Sequence, residues 1–362
     1  LRGGNRSDSE FTVASPKALD TKLRNALKGK VHSSTDEFFS KRVPIQLGGM
    51  TDPFTPIELK IGNTRSLLSV LKKYDYPTII NTKNSEIFTP DLIRLMETGN
   101  FYVRFSVSMV DKKTRSIFEN STSDFQSILR TAHLLNRHKI NSSIRFQPLF
   151  PTFEDSCIEA LNEVSKHEIP FVSVEYLKVP IDNSTDDLRS LDSLYSDNIK
   201  KWYLDHGATK IGREYVLPID YKLEFLRRFK MIANSLGILV GLAENEFLHL
   251  SDGNACCGAF DLFLRNCHTF DSNIQSILRN RSIGDLIRIN ELDSTWKPQS
   301  NVGSYLNSKS RILESDGAWE HFIRRDWNRN DGAYSPSFFY GIEDTGLCDE
   351  DGFKIYHVVD KF

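Results

Sequence analysis

Cysteine is scarce in this 362-residue sequence: there are five, an odd number, and none precedes Cys157. So sparse a set excludes a disulfide framework and fits a reducing, cytoplasmic compartment. Long apolar runs are missing too. The cleanest, residues 238–243, is far too short to span a bilayer, so no membrane partner is expected. Charge of one sign is lacking, because 46 Lys+Arg stand against 48 Asp+Glu for a net −2. That argues against a globally basic nucleic-acid binder, although a local basic groove stays compatible with the total. Also absent are Gly-x4-Gly-Lys-(Ser/Thr), Gly-x-Ser-x-Gly and His-Glu-x-x-His, which removes simple P-loop, α/β-hydrolase and zincin readings. The chain opens Leu1-Arg2-Gly3-Gly4, with no Met and no charged-then-apolar leader, and reads as processed or cut at residue 1.

What is present is apolar and aromatic. Hydrophobic residues make up 39% of the chain, with 24 Phe and 12 Tyr, enough for a substantial core. Short apolar runs at 43–47, 78–81, 101–107, 142–146, 171–176 and 238–242 read as buried strands. Between them lie helical stripes, such as Phe125, Ile128, Leu129, Ala132 and Leu135, or Phe225, Leu226, Phe229, Ile232 and Ala233. Strands alternating with crossover helices require a mainly parallel sheet, either doubly wound or an incomplete barrel, and periodicity does not separate the two. Both bind ligands at the carboxyl ends of the strands. Residues 1–44 form a lead-in of loop and helices. Residues 45–250 form the α/β body, with a polar insertion at about 178–220. Residues 251–362 form an irregular, mainly helical extension that can serve as lid or partner site.

The first strand runs into Leu47-Gly48-Gly49-Met50-Thr51-Asp52-Pro53-Phe54-Thr55-Pro56-Ile57-Glu58. Paired glycines let a backbone approach a ligand closely, and Thr51 and Asp52 add acceptors for an ammonium. This stretch resembles the Thr-Asp-Pro-(Tyr/Phe)-x-Pro-x-Glu loop of the radical S-adenosylmethionine superfamily, in its spore photoproduct lyase-like branch. The likeness continues in order through Asn63-Thr64-Arg65, Ile79-Ile80-Asn81-Thr82-Lys83, Phe105-Ser106-Val107-Ser108, Phe118-Glu119 and Arg145-Phe146-Gln147-Pro148-Leu149-Phe150-Pro151. It covers roughly residues 45–152 and weakens towards 242.

The resemblance implies a partial (β/α)6 TIM-type barrel, here lacking its first strand. In the family that strand leads into Cys-x3-Cys-x2-Cys, whose thiolates hold a [4Fe–4S] cluster. S-adenosylmethionine bound there is reductively cleaved to a 5′-deoxyadenosyl radical that abstracts hydrogen from a substrate, unknown in this case. The motif is absent from this chain, so no metal ligand is assigned. Either the chain starts just after it, which the missing Met and first strand favour, or a family member has lost its cluster. The resemblance further implies a reductant such as flavodoxin or ferredoxin, and nucleic acid as substrate by branch analogy alone. It gives Gly48, Gly49, Thr51 and Asp52 to the methionyl amino group, Lys83 to its carboxylate, and Ser106 and Ser108 to ribose or carboxylate. Glu119 would bond the ribose, Arg145 and Gln147 would face substrate or cofactor, and Glu175 is a weaker candidate. The rival reading is a cluster-less, non-catalytic barrel that holds a nucleotide-like ligand or a protein partner. A third is a phosphate-binding barrel with affinity for sugar phosphates at Arg145.

Other constellations are read as structural. Cys256-Cys257, Cys267-His268 and His249 lack the Cys-x2–4-Cys spacing of structural zinc and read as buried free thiols, with an auxiliary cluster or redox pair as the alternative. Arg227-Arg228-x-Lys230 and Arg324-Arg325-x-Trp327-x-Arg329 read as solvated helix faces, although Arg interleaved with Trp also suits a nucleotide or single strand.

Overall fold

The computed structural model describes residues 14–49, 51–111, 114–115, 123–181, 192, 194–195, 198–255, 260–268, 273–294, 296, 319–330 and 335–362. Two N-terminal helices, α1 (Pro16–Ala26) and α2 (Ser34–Ser40), start where side chains can accept orphan amides. Ser15 caps Ala18 N–H and Ser33 caps Asp36 N–H. The body then alternates β1 (Ile45–Leu47), α3 (Pro56–Ile61), α4 (Asn63–Lys73), β2 (Thr78–Thr82), α5 (Pro90–Met96), β3 (Phe101–Ser106), α6 (Phe125–Arg137), β4 (Asn141–Leu149), α7 (Glu154–Lys166) and β5 (Phe171–Tyr176). An insertion carries β6 (Val179–Pro180), α8 (Ile199–Asp205), β7 (Thr209–Ile211) and β8 (Glu214–Val216), before α9 (Ile219–Ser235) and β9 (Leu239–Leu242). The large sheet is six-stranded and wholly parallel, in the order β1-β2-β3-β4-β5-β9, so each strand lies beside its predecessor in the body. This is the partial α/β barrel architecture that the resemblance implies and that the alternation alone left open beside a doubly wound sheet.

The pleat divides the residues of each strand between two faces. Ile80, Val103, Phe105, Ile144, Phe146, Val172, Val174, Val240 and Leu242 belong to the main core, shared with the apolar stripes of α4 to α7 and α9. Alternate residues point to the concave face: Asn81, Arg104, Ser106, Ser143, Arg145, Ser173 and Glu175. That face is therefore greasy near the strands' amino ends and polar near their carboxyl ends. A short helix, α10 (Phe260–Phe263), covers the greasy end, where Leu264 packs with Ile79 and Tyr102, and Phe263 against Tyr102 and Phe171. Asn100 and Asn141, at the starts of β3 and β4, tether it by donating to Arg265 O and Phe263 O, both at 2.7 Å. Residues 260–268 thus close the end of the barrel opposite to its polar mouth.

The C-terminal extension adds a small sheet to the helices expected there. Besides α11 (Ile274–Arg279) and α12 (Trp319–Trp327) it holds β10 (Leu286–Ile287), β11 (Ile342–Cys348) and β12 (Lys354–Val358), antiparallel in the order β10-β12-β11. Periodicity missed these strands for physical reasons. β10 has two residues, and β11 is a mostly exposed edge with a register shift between Asp344 and Cys348, so neither shows a clean alternation. Trp327 and Tyr356 anchor a separate core there, joined by Phe38 and Val43 from the N-terminal segment. The insertion, read from its polarity, contains a small sheet in the order β6-β8-β7. No helix among the described residues is long and apolar enough to cross a membrane.

Candidate binding site at the carboxyl ends of the strands

The loop after β1 is braced before any ligand arrives. Gly48 has φ +82°, and a Cβ there would lie 2.2 Å from Asn81 O and 2.9 Å from Pro53 Cδ. Only glycine lets β1 end so close to β2. Gly49 is roomier, with the Gln46 amide 3.5 Å from a would-be Cβ. Thr55 caps α3 by accepting Glu58 N–H, Pro56 follows at the first helical position, and Thr64 donates to Pro53 O at 2.7 Å. The Glu58 carboxylate in turn accepts the Thr64 N–H. Asp52 is the centre of this bracing. Its carboxylate accepts the Phe54 N–H at 2.9 Å, the Lys83 N–H at 2.7 Å, and the Thr82 hydroxyl at 3.0 and 2.9 Å from its two oxygens. Thr51, next to it, is exposed.

From this anchor the site extends across the sheet. Lys83, half-buried, donates from Nζ to Ser108 Oγ at 3.2 Å, which bridges the ends of β2 and β3. Ser106 pairs in register with Arg145, and Arg145 with Ser173, so the three share one row of the concave face. Gln147 donates to Glu175, and Lys178 donates to the other oxygen of the same carboxylate. Burial works against the Lys178 charge, yet Glu175 and Glu244 hold its ammonium above the ordinary lysine range. Ser106, Ser108, Lys83 and Arg145 thus stand together at the mouth, as alternation predicts, and Glu175 joins them. Glu119 lies outside the described residues, as do Cys256 and Cys257.

Several residues of this face were invisible to motif reading. Asn81 and Arg104 are register partners and both 3% exposed. Ser173 is fully buried. The available signal was the two-residue strand period: Asn81, Arg104 and Ser173 stand two residues before Lys83, Ser106 and Glu175 and so face the same way. Three polar atoms of the face, Asn81 Oδ1, Gln147 Oε1 and Ser173 Oγ, are buried without a hydrogen-bond partner. Buried polar groups are nearly always paired, so unpaired acceptors in one concavity mark a place for a polar ligand or ordered water.

Beneath the rim lies a second charge system. Lys222, on the first turn of α9, is wholly buried between Glu244 at 2.9 Å and Glu246. Glu244 also accepts the Tyr176 N–H at 2.6 Å, which fixes the end of β5 next to Glu175. Glu246 O accepts the Tyr340 N–H at 3.0 Å and so ties the barrel to the C-terminal extension.

The described thiols, Cys157, Cys267 and Cys348, do not form a metal centre. No group of three or more His, Cys, Asp or Glu able to hold a metal exists among the described residues. Cys157 is buried on α7, where burial pushes its thiol well up. Cys267 sits at the closed end of the barrel, likewise raised by burial, and Cys348 is exposed on β11. The basic clusters are engaged elsewhere. Arg227 pairs with Asp360, Arg228 with Asp155 and Lys230 with Asp252, while Trp327 is fully buried and donates to Lys354 O at 2.8 Å. Trp327 is therefore no stacking platform.

His249 is 2% exposed, packs edge-on against Phe339, and its ring is held by no closer polar contact than the Tyr340 backbone. Burial first, then repulsion from Lys361, Arg279 and Lys230, lowers its pKa to about 3. The unfolded chain binds this proton below about pH 6.5, whereas the folded one resists it down to about pH 3. Stability is therefore whole above that window and is lost as pH falls through it. At about pH 5 the expected loss is about 2 kcal/mol. Urea midpoints of the wild type and a His249→Phe variant, at about pH 7 and pH 5, should show that the variant loses this sensitivity.

No family model matches the sequence, and no curated protein is similar to it. Among solved structures, a spore photoproduct lyase variant with bound AdoMet and dinucleoside spore photoproduct is similar at a TM-score of 0.45 and 14% identity, over 60% of this chain and 70% of the lyase. A second variant of that lyase gives 0.46 and 14%, over 62% and 66%. Streptococcus suis SuiB bound to S-adenosylmethionine gives 0.36 and 17%, over 55% of this chain and 43% of SuiB. The chain thus spans about two thirds of the lyase and less than half of SuiB.

Proposed function

We propose that the chain is the barrel of a radical S-adenosylmethionine enzyme and that the mouth formed by β1 to β5 holds S-adenosylmethionine. The observation that carries this reading is the set of unpartnered acceptors, Asn81 Oδ1, Gln147 Oε1 and Ser173 Oγ, on the same concave face as Lys83, Arg104 and Arg145. A ligand suited to it brings several N–H and O–H donors together with a carboxylate, and an adenosyl amino acid does so. Lys83 and Arg145 supply charge for the carboxylate, Ser106 and Ser108 supply hydroxyls for ribose or carboxylate, and Gly48, Gly49 and Thr51 lie along the amino end.

The [4Fe–4S] cluster does not fit the described residues, whose cysteines lie apart on α7, the closed end and β11. What these residues can do is bind and orient the nucleoside. That observation favours, as a second reading, a barrel that binds without igniting radical chemistry. A dinucleoside or nucleic-acid substrate rests on the lyase alone.

The test is titration calorimetry of the natural polypeptide with S-adenosylmethionine and with a sugar phosphate, prepared without oxygen. Saturable binding of the first alone is expected. Preference for the sugar phosphate overturns the reading in favour of a phosphate-binding barrel. Iron content and 5′-deoxyadenosine release under reduction then separate the enzyme from the non-catalytic binder.

A further inference from the structure

Resting on the S-adenosylmethionine reading, we infer that Glu244 is a positioning residue of the mouth: too buried to touch a ligand itself, it acts through Tyr176, Lys178 and Glu175 to aim the unspent Gln147 Oε1 at one. β9 ends at Leu242, and its last bond to β5 runs from Ala243 N–H to Val174 O at 2.8 Å. Two residues on, the Tyr176 N–H faces past the end of β9. The buried Glu244 carboxylate takes it at 2.6 Å, in place of a strand carbonyl. On the other edge, Leu177 N–H donates to Leu149 O at 2.8 Å. The peptide that joins Glu175 to Tyr176 is thus fixed from both edges of β5, and with it the root of the Glu175 side chain.

The Glu175 carboxylate is held in turn. Lys178 donates to one of its oxygens and Gln147 Nε2 to the other. Only the amide nitrogen of Gln147 can donate to a carboxylate, so Oε1 is the remaining atom, an acceptor buried without a partner. Burial opposes the Lys178 charge, but Glu175 of β5, Glu244 after β9 and Glu214 of β8 hold its ammonium above the ordinary lysine range. A neutral acceptor at position 244 would serve the Tyr176 N–H as well; the charge is what also steadies Lys178. That charge lies in a low dielectric, and the wholly buried Lys222 offsets it at 2.9 Å, with Glu246 on its far side. Charges therefore alternate from the interior to the rim, through Glu246, Lys222, Glu244, Lys178 and Glu175. The row ends on a neutral amide oxygen. Over β4 and β5 the mouth thus offers a ligand an acceptor, while the Lys178 charge is already engaged.

The experiment takes two readouts on the natural polypeptide, prepared without oxygen. The first is the rate of Lys178 acetylation by acetic anhydride against pH, followed by peptide mass spectrometry with the exposed Lys201 as internal standard. Glu244→Gln keeps an acceptor for Tyr176 and removes the charge. At about pH 8 its Lys178 should acetylate about tenfold faster than in the wild type, the effect of lowering the lysine pKa by about one unit. An unchanged rate overturns the link from Glu244 to Lys178. The second readout is titration calorimetry with S-adenosylmethionine in Gln147→Leu, Glu244→Leu and the double variant. Gln147→Leu should weaken binding about tenfold, the loss of one hydrogen bond. Glu244→Leu should cost about as much and the double variant no more, because both act through one atom, while Glu244→Gln should recover most of the affinity. Losses that multiply to about a hundredfold in the double variant overturn the assignment. If Glu244→Leu does not fold, the Lys178 rate in Glu244→Gln decides. A wild type that does not bind S-adenosylmethionine overturns the ligand reading alone, and the Lys178 rates then support or sink the positioning of Glu175 by themselves.

Discussion

A Lys222→Met variant should lose about 3–5 kcal/mol of stability, with a melting temperature lower by on the order of 10 °C. Lys222 is fully buried, and its two partners, Glu244 and Glu246, are 1% and 8% exposed. Removing the ammonium leaves two carboxylates facing each other in a low dielectric, with only the more distant Lys178 charge acting on Glu244 to offset their desolvation. The loss therefore comes from what remains behind, not from the ion pair itself. A triple variant separates these contributions. Adding Glu244→Gln and Glu246→Gln to Lys222→Met should recover most of the loss, because amides need no counter-charge and the amide oxygen at position 244 would still take the Tyr176 N–H. Urea unfolding of the two variants is the measurement. If the triple variant is no more stable than the single one, uncompensated charge is not the cause.

The second large effect is expected at Gly48. Alanine there must hold φ near +82° and place its Cβ 2.2 Å from a backbone oxygen of β2. The conformation alone costs about 1–3 kcal/mol, and the contact forces the loop away from Asn81. Since Asp52 fixes the loop to Thr82 and Lys83, displacement reaches the whole row of site residues. Under the proposed function, S-adenosylmethionine affinity should fall about a hundredfold, the scale of loss that a displacement of about 1 Å can cause in a preorganised site. Gly49→Ala is the control for stability. Its Cβ would meet only the end of the Gln46 side chain, at 3.5 Å, and should not change stability appreciably. Equal losses in the two variants would mean that the paired glycines act through general flexibility, not through the close approach at Gly48.

Much of the body was legible because each signal was local. The stripe on α6, the Pro start of α5 and the apolar runs of β2, β3 and β5 each lie within one helix or one strand, where periodicity reports burial directly. The loop after β1 was legible as a local motif, and the structure adds that Thr55, Pro56 and Glu58 start the helix that follows it. The extension's strands were not, because β10 is too short to alternate and β11 is an exposed, bulged edge. At the site, residue type suggested roles that long-range partners decided. Asp52 carries the charge that an ammonium would seek, but its neighbours across 30 and 31 residues of sequence use that charge first.

By itself, the sequence determined the order of strands and helices in the α/β body, the parallel sheet they require, and the end of that sheet at which folds of this kind bind ligands. Those follow from period, chain connectivity and the handedness of the crossover. Only the tertiary structure decided which polar groups are satisfied. Lys222 is neutralised by residues 22 and 24 positions away, Asp52 is consumed by β2, and Asn81 Oδ1 is left without a partner. Hydrogen bonding is short-ranged and directional, so whether a side chain is spent or available depends on atoms that the chain brings together only when the sheet closes.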